Sequence, residues 1–137
     1  MSPLNHSPLA IVALATLLLA PSPSAQPKSG PVVRISEIEI APADLPAYRA
    51  ILKTEAEASV RLEAGVIAIF PMVQQDHPTQ VRILEIYASR AAYEAHLQTP
   101  HFQHYKTATL GMVKSLKLVD MTAMDDAAMA RIFRKAP

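Results

Sequence analysis

Cysteine is absent from the 137 residues, so no disulfide can brace this fold, and neither thiol catalysis nor thiolate metal ligation is open to it. Tryptophan is also absent, and no Lys, Arg, Asp or Glu precedes Lys28. The 13 Lys and Arg against 12 Asp and Glu give a formal charge of +1, spread along the chain without the basic stripe a nucleic-acid partner would need. The uncharged N-terminus holds instead an apolar run, "LAIVALATLLLA" (Leu9 to Ala20). It is too short to span a bilayer and about the length of a signal-peptide core. Small residues follow in "PSPSAQP". Residues 1–25 are therefore expected to be a signal peptide cleaved after Ala25, which exports the protein to the periplasm or the medium with no stable membrane insertion afterwards. An uncleaved anchor is the alternative.

The rest divides into a disordered leader (residues 26–31), one domain (residues 32–123) and a C-terminal extension (residues 124–137). "VVRISEIEI" (Val32 to Ile40) is dense in β-branched residues and reads as the first strand. Asp44 is an expected N-cap, Pro46 is tolerated in a first turn, and Leu45, Tyr48, Ile51, Leu52, Ala56, Ser59 and Val60 recur at helical spacing until Gly65. "GVIAIFPMVQQ" and "TQVRILEIYAS", separated by "DHP", read as two strands joined by a short turn, with Pro71 pointing to an edge position or a bulge. Ser89 is placed to cap a second helix, and Thr99 followed by Pro100 to start another. "SLKLVDMTA" (Ser115 to Ala123) supplies a fourth strand, and Asp125 is positioned to cap a short C-terminal helix, "DAAMARIFRK". The order β-α-β-β-α-β is that of a ferredoxin-like α+β domain with a four-stranded antiparallel sheet.

Both faces of the second and third strands are apolar, whereas an open sheet with one wet face alternates apolar and polar residues. Two helices cover one face. The other is expected to be covered by a second copy of the chain, sheet against sheet in a twofold dimer of the α/β-barrel type, with a folded-back tail helix as the alternative.

The richest chemistry lies in "AYEAHLQTPHFQHYKT" (Ala92 to Thr107), which holds three of the five histidines. The wider stretch from Ile83 to Thr107 resembles the antibiotic biosynthesis monooxygenase family. The resemblance is carried by Glu85 and Tyr87 on the third strand, Ala92 and His96 on the following helix, the Thr99-Pro100-His101-Phe102 run, and "LEAGVIAI" at the helix-to-strand junction. It extends over about Val32 to Met121. It implies a dimeric ferredoxin-like fold, and for some members oxidation of quinol or phenolic polycyclic small molecules by O2 with no flavin, metal or haem. A non-catalytic dimeric binding domain for a small aromatic ligand or a partner protein is the alternative. Haem-degrading oxygenases share the fold, but their iron-ligating histidine aligns with Lys106 here, and their pocket tryptophan has no counterpart. The Trp and Asn used by some family oxygenases are also missing from residues 26–137.

Oxygenation without a cofactor needs a substrate that becomes electron-rich on losing a proton, a base to take it, and a dry pocket. His96 and His101 are the candidate bases, with Glu85 and Tyr87 together on one face of a strand, in reach of a helix histidine only if that face is the one beneath the helices, and Phe70, Met72, Ile83 and Phe102 shaping the pocket. A structural role for each histidine competes with this reading: His96 as a helix-packing residue, His101 as a surface residue in a first turn, His104 facing solvent. His101 and His104 are spaced for one helix face but find no third ligand at a recognisable spacing, so no metal and no cofactor is expected.

Overall fold

A computed structural model of the chain describes residues 30–125. The expected signal peptide, most of the leader and the C-terminal helix lie outside these residues. The elements are β1 (Val32–Ile40), a 3-10 turn (Pro42–Asp44), α1 (Leu45–Leu62), β2 (Val66–Val73), β3 (Gln80–Tyr87), α2 (Arg90–His96), α3 (Pro100–Thr109) and β4 (Val113–Met121). All strand pairs are antiparallel and the sheet order is β2-β3-β1-β4. This is the ferredoxin-like α+β arrangement read from the sequence, with the second helix divided in two.

Local chemistry sets the helix ends. The Ser89 hydroxyl accepts the Ala92 N–H at 3.1 Å, and Thr99 accepts that of Phe102 at 3.4 Å while donating to the His96 carbonyl at 2.8 Å. Pro100 then opens α3, where its missing N–H costs nothing. Asp44 behaves differently from expectation. Its side chain makes no cap bond, because it closes the 3-10 turn, with its N–H bonded to the Ala41 carbonyl at 2.9 Å. Pro71 does sit on an edge strand, where a ladder donor is dispensable.

The strand alternation also needs one correction. The register of β2 against β3 shifts between Val66 and Ala68, so Val66 pairs with Tyr87 on the helix side while Ala68 pairs with Ile86 on the opposite side. A bulge at Ile67 therefore separates Val66 from Phe70 and Met72, which strict alternation along β2 would put on one face. Across the sheet, Ala68, Ile86, Val33 and Met121 form one row of the face away from the helices, and Phe70, Leu84, Ile35 and Val119 form the next. A third row, Met72, Arg82, Glu37 and Lys117, introduces charge, with Lys117 and Glu37 3.9 Å apart.

On the helix face the two ends of the sheet differ. At one end Ile38, Ile40, Val81 and Ile83 pack with Tyr48 and Leu52 of α1 into an apolar core. At the other end Arg34, Ser36, Glu85 and Tyr87 line up beneath α2 and the start of α3. Gly65 makes this docking close: a Cβ built on it would stand 2.5 Å from the Ala92 Cβ of α2. Gly65→Ala is expected to push α2 off the sheet and destabilise the domain by about 1–3 kcal/mol. Urea unfolding checks this, and a loss within 0.5 kcal/mol of zero, the range of a neutral surface change, would show that α2 does not rest on this contact.

Candidate active site

All four strands and all three α-helices contribute to a cavity of about 470 Å³ between the helices and the sheet. Its floor is made by strand residues two apart, which strand pleating puts on one face. The Tyr87 hydroxyl donates to Glu85 Oε2 at 2.8 Å, and the Ser36 hydroxyl donates to Glu85 Oε1 at 2.5 Å. Burial, reinforced by the neighbouring Glu85 carboxylate, pushes the Tyr87 hydroxyl far above the usual tyrosine range, so it acts as a donor and not as a phenolate. Arg34 crosses the same floor, pairing with Asp120 at 2.6 Å and standing 4.6 Å from the Tyr93 ring centroid.

The wall is His96, 2% exposed, with its ring 5.2 Å from that of Tyr87 and 4.7 Å from that of Phe102. Its Nδ1 lies 3.0 Å from Glu63 Oε1, and its Nε2 faces Glu55 Oε1 at 3.8 Å. His101 Nε2 approaches the same Glu63 oxygen at 2.5 Å. Burial by itself would raise the Glu63 pKa, but the hydrogen bonds from His101 and His96 overcome it and hold the carboxyl below its ordinary value. An ionised carboxylate only accepts, so both facing nitrogens must carry protons. His96 therefore directs an Nδ1–H to Glu63, and its Nε2 is on the Glu55 side of the ring, where Glu55 also lines the cavity. Glu55 is the opposite case. Burial raises its pKa, against the lowering effect of the Ser59 hydroxyl, which donates to it at 2.7 Å.

The structure brings together His96, Tyr87, Glu85, Ile83 and Phe102, all of which line this cavity. His101 stands behind His96, joined to it through Glu63. Phe70 and Met72 are elsewhere: Ile69 of β2 faces the cavity, so its neighbour Phe70 points to the other side of the sheet, where it is 60% exposed, and Met72, on the same far side of this edge strand, borders only the rim of a separate groove beside α1. His104 is exposed. The pairing of His101 with His104 considered from spacing is thus replaced by a pairing of His101 with His96. Glu55 and Glu63 were missed. Glu55 had a signal: it lies three residues after Leu52 and four before Ser59, inside the apolar stripe of α1, where a carboxylate is out of place unless it is partnered. Glu63 had none, because its partners are 33 and 38 residues away.

The fold and this site define a small monooxygenase-like α+β domain, and comparison with known proteins agrees. Residues 31–108 match the antibiotic biosynthesis monooxygenase family, and the chain belongs to that family. A solved structure of a protein assigned to the same family from Bacteroides thetaiotaomicron VPI-5482 is 46% identical, with a TM-score of 0.70 over 71% of this chain and 92% of that one. A protein from Lactobacillus acidophilus NCFM assigned as a monooxygenase is 29% identical, with a TM-score of 0.67 over 70% of this chain but 46% of that one. A structure from Nitrosomonas europaea, at 20% identity and a TM-score of 0.66, shares the fold. No functionally curated protein matches the sequence.

Ser59 is fully buried and its hydroxyl serves Glu55. Ser59→Ala is expected to cost about 1–2 kcal/mol, more than a methyl-sized change at a buried site with no polar partner. Thermal and urea unfolding measure this, and a neutral result would mean that Glu55 finds another donor.

Proposed function

We propose that the protein is a cofactor-independent monooxygenase that oxidises a quinol or phenolic polycyclic small molecule with O2. The observation that carries this reading is His96, a base-type side chain at the wall of an aromatic cavity, its ring against Tyr87 and Phe102 and its Nδ1 held by Glu63. In the reaction His96 takes the hydroxyl proton of the substrate, the Arg34 guanidinium on the cavity floor offsets the negative charge that collects on the oxygen, and Tyr87, whose proton is committed to Glu85, positions the ring. The quinolate gives electrons to O2. One oxygen atom enters the ring, the other leaves as water, and all four electrons come from the substrate, so a hydroquinone becomes a hydroxyquinone. Burial among Phe102, Ile83 and Tyr105 keeps the anion from bulk water. Placing a base and an oxyanion partner around a deprotonatable aromatic is the chemistry the family assignment leads one to expect, and a ligand-binding domain without turnover is the outcome if it fails.

The test is oxygen consumption with reduced menadione. Uptake above the chemical rate is expected, falling by about 10²-fold or more in His96→Gln, in line with the loss of a positioned base. No uptake above the chemical rate, or an unchanged rate in the variant, would overturn the assignment.

The same reading includes a homodimer. The two apolar rows on the far side of the sheet, with Phe70 60% and Met121 49% exposed, favour a second copy packed there. Light scattering of the mature chain is expected to give twice the monomer mass, and Phe70→Lys to give the monomer. A wild type that is monomeric at micromolar concentration would remove the sheet-to-sheet interface.

A further inference from the structure

Glu63 Oε1, His96 Nδ1 and His101 Nε2 all lie within 4.8 Å of one another. They come from three places in the fold, the end of α1, the end of α2 and the first turn of α3, so packing and not a single loop sets their convergence. We propose that these three groups form a site for one divalent transition-metal ion of the zinc class, and that filling it silences His96 as the base of the proposed reaction. Only this second part rests on the monooxygenase reading.

The donor set selects the ion. Two imidazole nitrogens and one carboxylate oxygen suit zinc and its neighbours cobalt, nickel and copper, whereas magnesium and calcium require oxygen ligands. The spacing fits with little movement. Bonds of roughly 2.0–2.2 Å put the ligands of a tetrahedral ion about 3.3 Å apart. The Glu63 to His96 separation is 3.0 Å, and the shorter 2.5 Å to His101 opens by an outward shift of His101, whose side chain is the most exposed of the three at 17%.

A second observation points the same way. A metal-bound histidine ordinarily directs its other ring nitrogen to a carboxylate that fixes its orientation. His96 Nε2 faces Glu55 at 3.8 Å, and Glu55 is itself held by Ser59. Nothing in the proposed reaction demands His101, yet it shares the Glu63 oxygen with His96; as a second metal ligand it has a purpose.

The proton balance links the site to the cavity. An ion at this position takes the lone pairs of His96 Nδ1 and His101 Nε2, so each imidazole carries its proton on the other nitrogen. The His96 Nε2, which faces Glu55 at 3.8 Å, then carries an N–H directed to that carboxylate. The imidazole is then unable to accept a proton from the substrate.

Cobalt(II) is the probe, added to chelator-treated mature protein and followed by its visible d–d absorption. Saturation at one equivalent per chain is expected, with affinity reduced by about tenfold or more in both His101→Ala and Glu63→Gln, and unchanged in His104→Ala. Circular dichroism checks that each variant is folded; Glu63→Gln keeps the side-chain volume, and His101 is partly exposed, so the two do not share one mode of failure. Absence of saturable binding, or binding indifferent to both variants, overturns the site. In parallel, one equivalent of zinc is expected to stop quinol-dependent oxygen uptake, and excess chelator to restore it. Uptake that persists in loaded protein overturns the silencing alone. A metal-free protein that never consumes oxygen overturns the monooxygenase reading, while the cobalt titration still decides the metal site.

Discussion

The Glu63 carboxylate is where the helical layer is tied together. α1 ends at Leu62, and Glu63 leaves the helix in an extended conformation while its N–H still bonds to the Ser59 carbonyl at 3.1 Å. A helix C-terminus carries partial negative charge, so the carboxylate there seeks N–H donors or cations. It finds two, one from α2 and one from α3. His96 and His101 are five residues apart, and in an unbroken helix they would point roughly 140° apart around the axis. The Thr99-Pro100 break turns the second segment so that both rings reach one oxygen. Without the break, one carboxylate could not serve both histidines.

This polar knot sits at one end of a sheet whose other end is a conventional apolar core. The division has a physical logic. Burying Glu55, Glu63, Glu85 and Arg34 offers little net stability, since desolvation offsets what their pairings return. Ile38, Ile40, Tyr48, Leu52, Val81 and Ile83 supply the burial that holds the fold, and the polar end is carried by it. Among the described residues no buried side-chain nitrogen or oxygen lacks a partner, so the network is complete. A complete network is also brittle: deleting one member leaves another buried and unsatisfied. The Tyr48 and Tyr105 hydroxyls, 2.8 Å apart, join the two halves by linking α1 in the core to α3 at the cavity, with burial pushing the Tyr105 hydroxyl up to about 12.

Element order, edge position and the caps of α2 and α3 were legible in the sequence because each is a local matter. Ser89 and Thr99 cap within three residues, Pro71 forbids a donor at its own position, and the pleat of β3 puts Glu85 and Tyr87 on one face. The bulge at Ile67 was not legible, since it depends on how β2 registers against β3 and nothing in "GVIAIF" marks an extra residue. It changed which apolar residues of β2 face the helices, and so removed Phe70 from the cavity. Likewise the sequence singled out His96 by its neighbours, but gave no sign of its hydrogen-bond partner Glu63. Glu63 is an ordinary charged residue at a helix end until the fold brings α2 and α3 over it.

The two histidines are not equivalent in what they can do. Of the two, only His96 lines the cavity, and in the proposed reaction it is the base, oriented by Glu63 on its opposite nitrogen. A cation at Glu63 needs both rings and removes the proton from that nitrogen. Base and ligand are therefore alternative uses of one imidazole, with the choice made on the side of the ring facing away from the substrate. His101 is what makes the choice available: with His96 alone, Glu63 would be an orienting carboxylate and nothing more, whereas the second ring converts a hydrogen-bond acceptor into one corner of a three-donor cradle.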